Sequence, residues 1–155
     1  MSGIDFLHRL NRDEQFVLPQ HVAVIGGGNT AIDVARCVRR LGAEVTVVSA
    51  QDPHSSHHSH LGTEMPASLR EVIEAETEEV NLLHRAGVCR LVCSGEHLSG
   101  VEVARVDQVN DRHGRFNPVL FEGTEEFLAA GMVIFAIGQE ADWQGLTTLE
   151  HATEA

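Results

Sequence analysis

The sequence predicts an α/β fold, built as three layers around a central parallel sheet, with an antiparallel three-stranded β-meander as one crossover. Three observations carry that expectation. A β-branched apolar run, HVAVI at 21–25, leads directly into Gly26, Gly27 and Gly28. A stretch with helical spacing follows at 29–41, ends at Gly42, and gives way to a second β-branched run, EVTVV, at 44–48. Farther along, three strand-like segments separated by turn residues precede a last apolar run, GMVIFAI, at 131–137.

Each element has a local reason. Runs without polar alternation mark strands buried on both faces, as in parallel sheets. Within 29–41, Ile32, Ala35, Val38 and Leu41 share one helical face, and Gly42 is a natural stop. Strand, glycine turn, helix and strand make a βαβ unit. Helices are expected on both faces of the sheet. Residues 2–16 carry an apolar patch at Phe6, Leu7 and Leu10, which predicts a short lead-in helix. Residues 51–63 read as a polar loop. Pro66 is expected near the first turn of a charged helix over 67–79, whose pattern alone continues to Arg85. Strands at 88–93, 98–106 and 117–121, with turns at Ser94-Gly95 and 110–114, form the meander. The organisation is thus a lead-in over 1–20, one folded domain over 21–140, and a frayed tail over 141–155.

Composition narrows the chemistry. Of 155 residues, 43% are hydrophobic, which suits one domain with a real core. The formal net charge of -12 argues against nucleic acid, whose binders present a concentrated basic face. No apolar run reaches the roughly 18 residues of a membrane helix. Residues 1–10 lack a signal-peptide pattern, so a cytoplasmic location is expected. Every basic side chain apart from histidine is arginine, and tyrosine is absent. Schiff-base catalysis on lysine and proton transfer by tyrosine are therefore excluded. Cys37, Cys89 and Cys93 are read as reduced packing residues; the last two are spaced too far apart for a redox CxxC.

The glycine turn is the motif that carries function. Gly26-Gly27-Gly28-Asn29-Thr30-Ala31 fits G-x-G-x-x-A, and it follows a strand and opens a helix, as a Rossmann-like dinucleotide site requires. Gly26 permits the tight turn, Gly28 lets backbone approach a pyrophosphate, and Ala31 keeps the helix near the sheet. The helix N-terminus offers unpaired N–H groups to the phosphates. Gly26, Gly27, Gly28, Asn29, Thr30 and Ala31 are thus expected to hold the pyrophosphate. A carboxylate at the end of the second strand selects NADH, and a nearby arginine selects NADPH. Here Val48-Ser49-Ala50-Gln51 supplies neither, and Asp52 comes late. Without a repelling carboxylate, and with Ser49 and Gln51 able to hydrogen-bond, the strand end leans to NADPH. Ser49, Ala50 and Gln51 are expected to face the adenosine ribose.

The ordered segments SGIDFL, VAVIGGGNTAIDVARCVRRLGAEVTVV, EMPASLREVIEAETEEV, LSGVEVARV and LFEGTEEFLAAGMVIFAIGQ resemble the NAD(P)H-binding domain of the glutamate synthase small subunit and the similar domain of dihydropyrimidine dehydrogenase. The resemblance runs from about 2 to 139. It implies a domain inserted in an FAD-binding domain, in which NADPH, or less often NADH, gives a hydride to the flavin. Electrons would then pass through iron–sulfur clusters to a partner active site, such as that of an amidotransferase-type subunit. It also implies that 79–84 is the third parallel strand, with the preceding helix ending near Glu78, and that Ala136, Ile137 and Gly138 lie near the nicotinamide half. The family's usual arginine pair after the second strand is replaced by Ser49, Ala50 and Gln51, so its NADP preference does not carry over; NADPH and NADH both stay open. Neither an FAD fingerprint nor a flavin-binding segment flanks the domain, and the chain is read as a truncated domain or a stand-alone relic.

Other features have plainer readings. His54, His57, His58 and His60 have irregular spacing without an adjacent cysteine, and are read as a solvated loop rather than a metal site. Arg36, Arg39 and Arg40 complement the dipole at the helix end, and Asp33 is read as doing so in its first turn. Trp143 stands in the tail. No catalytic triad or paired-carboxylate frame is present, and no acid or base is assigned. Two alternatives remain: a non-catalytic dinucleotide-sensing module, and a Rossmann domain for another ligand such as S-adenosylmethionine. The absent carboxylate after the second strand and the family-like motifs count against the latter.

Overall fold

The computed structural model of the chain describes residues 1–52 and 63–138. In order, its elements are α1 (Gly3–Leu10), β1 (His21–Ile25), α2 (Asn29–Arg40), β2 (Glu44–Val48), α3 (Leu69–Thr77), β3 (Asn81–Leu83), β4 (Ala86–Ser94), β5 (His97–Asn110), β6 (Phe116–Leu120), β7 (Glu126–Ala129) and β8 (Met132–Phe135). A parallel sheet runs β3-β2-β1-β8. The apolar runs occupy its centre: β1 pairs in parallel with β2 and with β8, and Val24 stands level with Val47 and Ile134.

The three layers differ from expectation in one respect. The helices share one face, where Phe6 of α1, Ile32, Val34 and Val38 of α2, and Val72 and Ala75 of α3 form one core with Val24, Val45 and Val47. The opposite face is covered by the antiparallel sheet, through Val101, Val103 and Ala86 against Ala23, Val48 and Val133. Alternate side chains of each parallel strand thus feed two separate cores.

The antiparallel layer also holds more than the expected meander. β5 runs 14 residues and pairs with β4 along one edge. On its other edge it pairs with β7 at Gly100–Val103 and with β6 from Val106 onward. β7 has the sequence EFLA, which carries little intrinsic strand preference; its pairing with β5 makes it a strand. Cys89 falls at a register shift in β4 and is exposed, as is Cys93, so only Cys37 packs against the core.

Helix ends explain where the pattern reading fell short. α2 stops as expected: Gly42 has φ +93°, its N–H donates to the Arg39 carbonyl, and the Ala43 N–H donates to the Val38 carbonyl. Leu41 sits at the C-cap and is 47% exposed, so it leaves the buried face it was expected to share. Asp33 lies beyond the first turn, which contains no acidic residue. α3 begins at Leu69 with Ser68 as N-cap, so Pro66 precedes the helix instead of opening it. It ends by the same geometry as α2, with Glu79 at φ +62° taking the place of a glycine. The chain then enters β3, parallel to β2, as the family resemblance implied.

Arg36, Arg39 and Arg40 do more than complement a dipole. They cross to the end of α3, where Arg40 grips Glu78 through Nε at 2.9 Å and Nη2 at 2.6 Å, and Arg36 reaches both Glu78 and Glu74. Arg39 pairs with Glu79. The hydrogen bonds from Arg40 and Arg36 hold the Glu78 carboxyl down at about 2, against an ordinary 4.5. A lowered carboxyl stabilises the fold above its unfolded value, and that stability is lost as pH falls toward the folded value. Glu78→Gln should therefore lower the melting temperature at pH 7. The gap from the parent should close between pH 4.5 and 2, as thermal scans across that window will show.

Candidate functional site

The site begins where β1 turns into α2. Gly26 has φ +139°, and its N–H donates to the Val48 carbonyl at 3.0 Å. The end of β8 closes on the same point, with the Ala136 N–H donating to the Ile25 carbonyl at 2.8 Å. A Cβ on Gly26 would lie 2.3 Å from the Ala136 carbonyl oxygen, so backbone conformation and backbone contact both demand glycine. At Gly27 a Cβ would meet Ser49 Oγ at 2.6 Å and Gln51 Oε1 at 3.1 Å.

Gly28 differs. It is the N-cap of α2 in extended conformation; among the described residues no side chain caps the helix, and a Cβ there meets nothing within 4 Å. The described residues leave the space in front of the helix terminus open. Backbone N–H groups and the positive end of the helix dipole face that space, which suits a phosphate. Ala31 behind it is fully buried, and the helix lies close to the sheet.

A cavity of about 710 Å³ opens at this turn, at the C-terminal ends of the parallel strands. Of the residues singled out from sequence, Gly26, Gly27, Gly28, Thr30, Ala50 and Gln51 line it, together with Ala136, Ile137 and Gly138. Asn29, Ala31 and Ser49 stand off its wall. The Asn29 side-chain oxygen accepts the Ser68 N–H at 3.1 Å, tying the head of α2 to the head of α3. Ser49 is 1% exposed, and its hydroxyl accepts the Gln51 N–H at 3.2 Å. That hydroxyl lies buried beneath the strand-end turn.

Sequence reasoning missed more than half of the wall. Ser2 and Ile4 at the head of α1, Ala86 and Val88 of β4, and Phe116 and Pro118 of β6 all contribute. Only Ser2 left a readable signal: its hydroxyl accepts the Asp5 N–H as an N-cap. The rest arrive through tertiary pairing. Ile137 at 74% exposure and Phe116 at 61% give the cavity an apolar rim. No ionisable side chain among the described residues lines it, so the described wall can hold and orient a ligand but moves no proton.

Beside the β2 end lies a second polar feature. The Asp52 N–H donates to the Thr63 carbonyl at 2.8 Å, and the Asp52 carbonyl accepts the Met65 N–H at 2.9 Å. Arg85, just past β3, donates to the Asp52 carboxylate at 3.3 Å and to the Asp107 carbonyl at 2.8 Å. Neighbouring His84 is partly buried, which pushes its imidazole below the ordinary value. His54, His57, His58, His60 and Trp143 lie outside the described residues.

A glycine turn between a parallel strand and a helix, opening on a cavity at the strand ends, defines a Rossmann-type fold. Comparison with known proteins gives the family. The profile described as "Pyridine nucleotide-disulphide oxidoreductase" matches residues 2–154, and the chain belongs to that family. It is 38% identical to the NADP(+)-dependent formate dehydrogenase subunit beta of Moorella thermoacetica, over 92% of this chain and 19% of that protein. It is 34% identical to the glutamate synthase [NADPH] small chain of Azospirillum brasilense, over 79% of this chain and 24% of that protein. The chain thus spans about a fifth to a quarter of these relatives' length. Among solved structures, thioredoxin reductase of T. acidophilum shares the fold, with a TM-score of 0.59 at 18% identity, over 84% of this chain and 35% of that one. The resemblance to glutamate synthase small subunits and related NADP-dependent oxidoreductase subunits is therefore real.

The Gly26 contact yields a stability test. Gly26→Ala should lose about 2–3 kcal/mol in urea unfolding, since the strained φ and the clash with a carbonyl act together.

Proposed function

We propose that this chain is the nicotinamide-dinucleotide-binding domain of a glutamate synthase small subunit-like flavoprotein oxidoreductase. It holds NAD(P)H for hydride transfer to an FAD bound outside this chain. The observation that carries the reading is Gly28: a helix terminus with no capping side chain among the described residues, facing open space that leads into a cavity within the usual size of a cofactor site.

The roles follow from placement. Backbone N–H groups at the head of α2 take the pyrophosphate, helped by the Thr30 hydroxyl. Ala50 and Gln51 bound the adenosine ribose. Ala136, Ile137 and Gly138 flank the nicotinamide half, and the apolar walls from Phe116, Pro118 and Phe135 exclude water there. A bound dinucleotide supplies the hydride; the chain supplies orientation. The relatives are named as subunits and as NADP-dependent, which supports NADPH as the preferred form and a partner subunit; that this partner is of iron–sulfur or amidotransferase type is what the family resemblance implies.

Calorimetric titration with NADPH and with NADH tests this directly. Saturable binding of a dinucleotide, displaced by its oxidised form, is expected; binding of neither contradicts the assignment. Gly28→Ser sharpens the result. Its hydroxyl is a good N-cap, so stability should hold or rise, while dinucleotide affinity falls by about tenfold or more as the phosphate cradle fills.

A further inference from the structure

The dinucleotide reading leaves open what recognises a 2′-phosphate, because the strand end lacks the expected arginines. We infer that Arg85 is that residue, and that Asp52 occupies its guanidinium until the phosphate displaces the carboxylate. This rests on the dinucleotide reading and deepens it.

Position comes first. In a doubly wound sheet the ribose that carries the 2′-substituent lies at the end of β2. Arg85 follows β3, which pairs with β2 on the side away from β1. Its N–H points to the Gln51 carbonyl at 3.4 Å, and Gln51 and Ala86 both line the cavity. Its guanidinium stands beside the carboxylate of Asp52, the next residue along. A basic group has therefore reached the β2 end from the neighbouring strand instead of from the loop after β2.

The pair is built to exchange. Its contact is 3.3 Å, longer than an ordinary charge-assisted bond, whereas Arg90–Glu102 measures 2.7 Å and Arg40–Glu78 2.6 Å. The Arg85 side chain is 35% exposed, so a ligand can reach it. Its second hydrogen bond, to the Asp107 carbonyl at 2.8 Å, keeps the guanidinium in place while the first partner changes. Arg85 also holds φ +52°, a conformation arginine rarely adopts. A phosphate offers the guanidinium a bidentate partner with more charge than a carboxylate. Asp52 meanwhile gives the site a built-in bias: with its backbone fixed by Thr63 and Met65, its carboxylate stays near any incoming phosphate and opposes it.

The test measures affinities of the whole chain and two variants for NADPH and NADH, with 2′,5′-ADP and 5′-AMP as adenosine-half probes. Arg85→Gln keeps a similar side-chain length and the same backbone demand. It should weaken NADPH and 2′,5′-ADP by about tenfold while NADH and 5′-AMP change less than about twofold. Asp52→Asn should tighten NADPH and 2′,5′-ADP by about threefold or more and leave NADH unchanged. NADH binding serves as the folding control in each variant. Arg85→Gln leaving the NADPH-to-NADH ratio unchanged, with NADH still bound, overturns the inference alone. Failure of the unaltered chain to bind any dinucleotide overturns it together with the functional reading.

Discussion

Where the chain leaves β1, a glycine without a side chain presses against the carbonyl of Ala136, with 2.3 Å left for a Cβ that is not there. That contact brings the end of β8 against the start of α2. It holds the first strand and the last strand of the parallel sheet level, although more than a hundred residues separate them in sequence. The antiparallel strands β4 to β7 occupy the later part of that interval and cover the face that the helices leave bare. The cavity lies where these constraints converge, with the glycine turn as its floor and β8, α1 and the β4 and β6 segments as its sides.

Charge makes the same point from another direction. A chain with net charge -12 offers no general attraction to an anionic ligand. Many of its arginines are committed to its own carboxylates, with Arg36 and Arg40 on Glu78, Arg90 on Glu102 and Arg115 on Asp111. In the proposed function, phosphate recognition therefore falls to backbone N–H groups at a helix terminus, which carry no formal charge and need no side chain. Arg85, beside the β2 end, instead holds Asp52 at 3.3 Å, and on that longer contact rests the inference about cofactor choice.

The sequence showed some of this plainly. β1, the glycine turn, α2 and β2 were legible because the features that define them are local: β-branched runs, glycines at fixed offsets and a glycine stop at Gly42. Nine of the twelve residues singled out do line one cavity. What stayed hidden depends on tertiary partners. Glu79 ends α3 in a conformation normally given to glycine, so the pattern ran on toward Arg85. β7 has a helix-friendly sequence and becomes a strand only because β5 offers it an edge. Ser49 looked available at the strand end, yet it folds beneath Gly27 and hydrogen-bonds Gln51. The contribution of α1 was equally opaque, because the Met1 and Ser2 backbone that anchors it pairs with β8, the last strand of the sheet.

Amide hydrogen exchange of the chain with and without NADPH tests the central claim most directly, because it locates the ligand on the backbone. Slowed exchange concentrated at residues 26–31, with a second footprint at 50–52 and 85–88, is the result expected from a pyrophosphate on the head of α2 and an adenosine beside the β2 end. Protection that leaves 26–31 untouched and falls elsewhere, for instance on the β5–β6 hairpin, would contradict it.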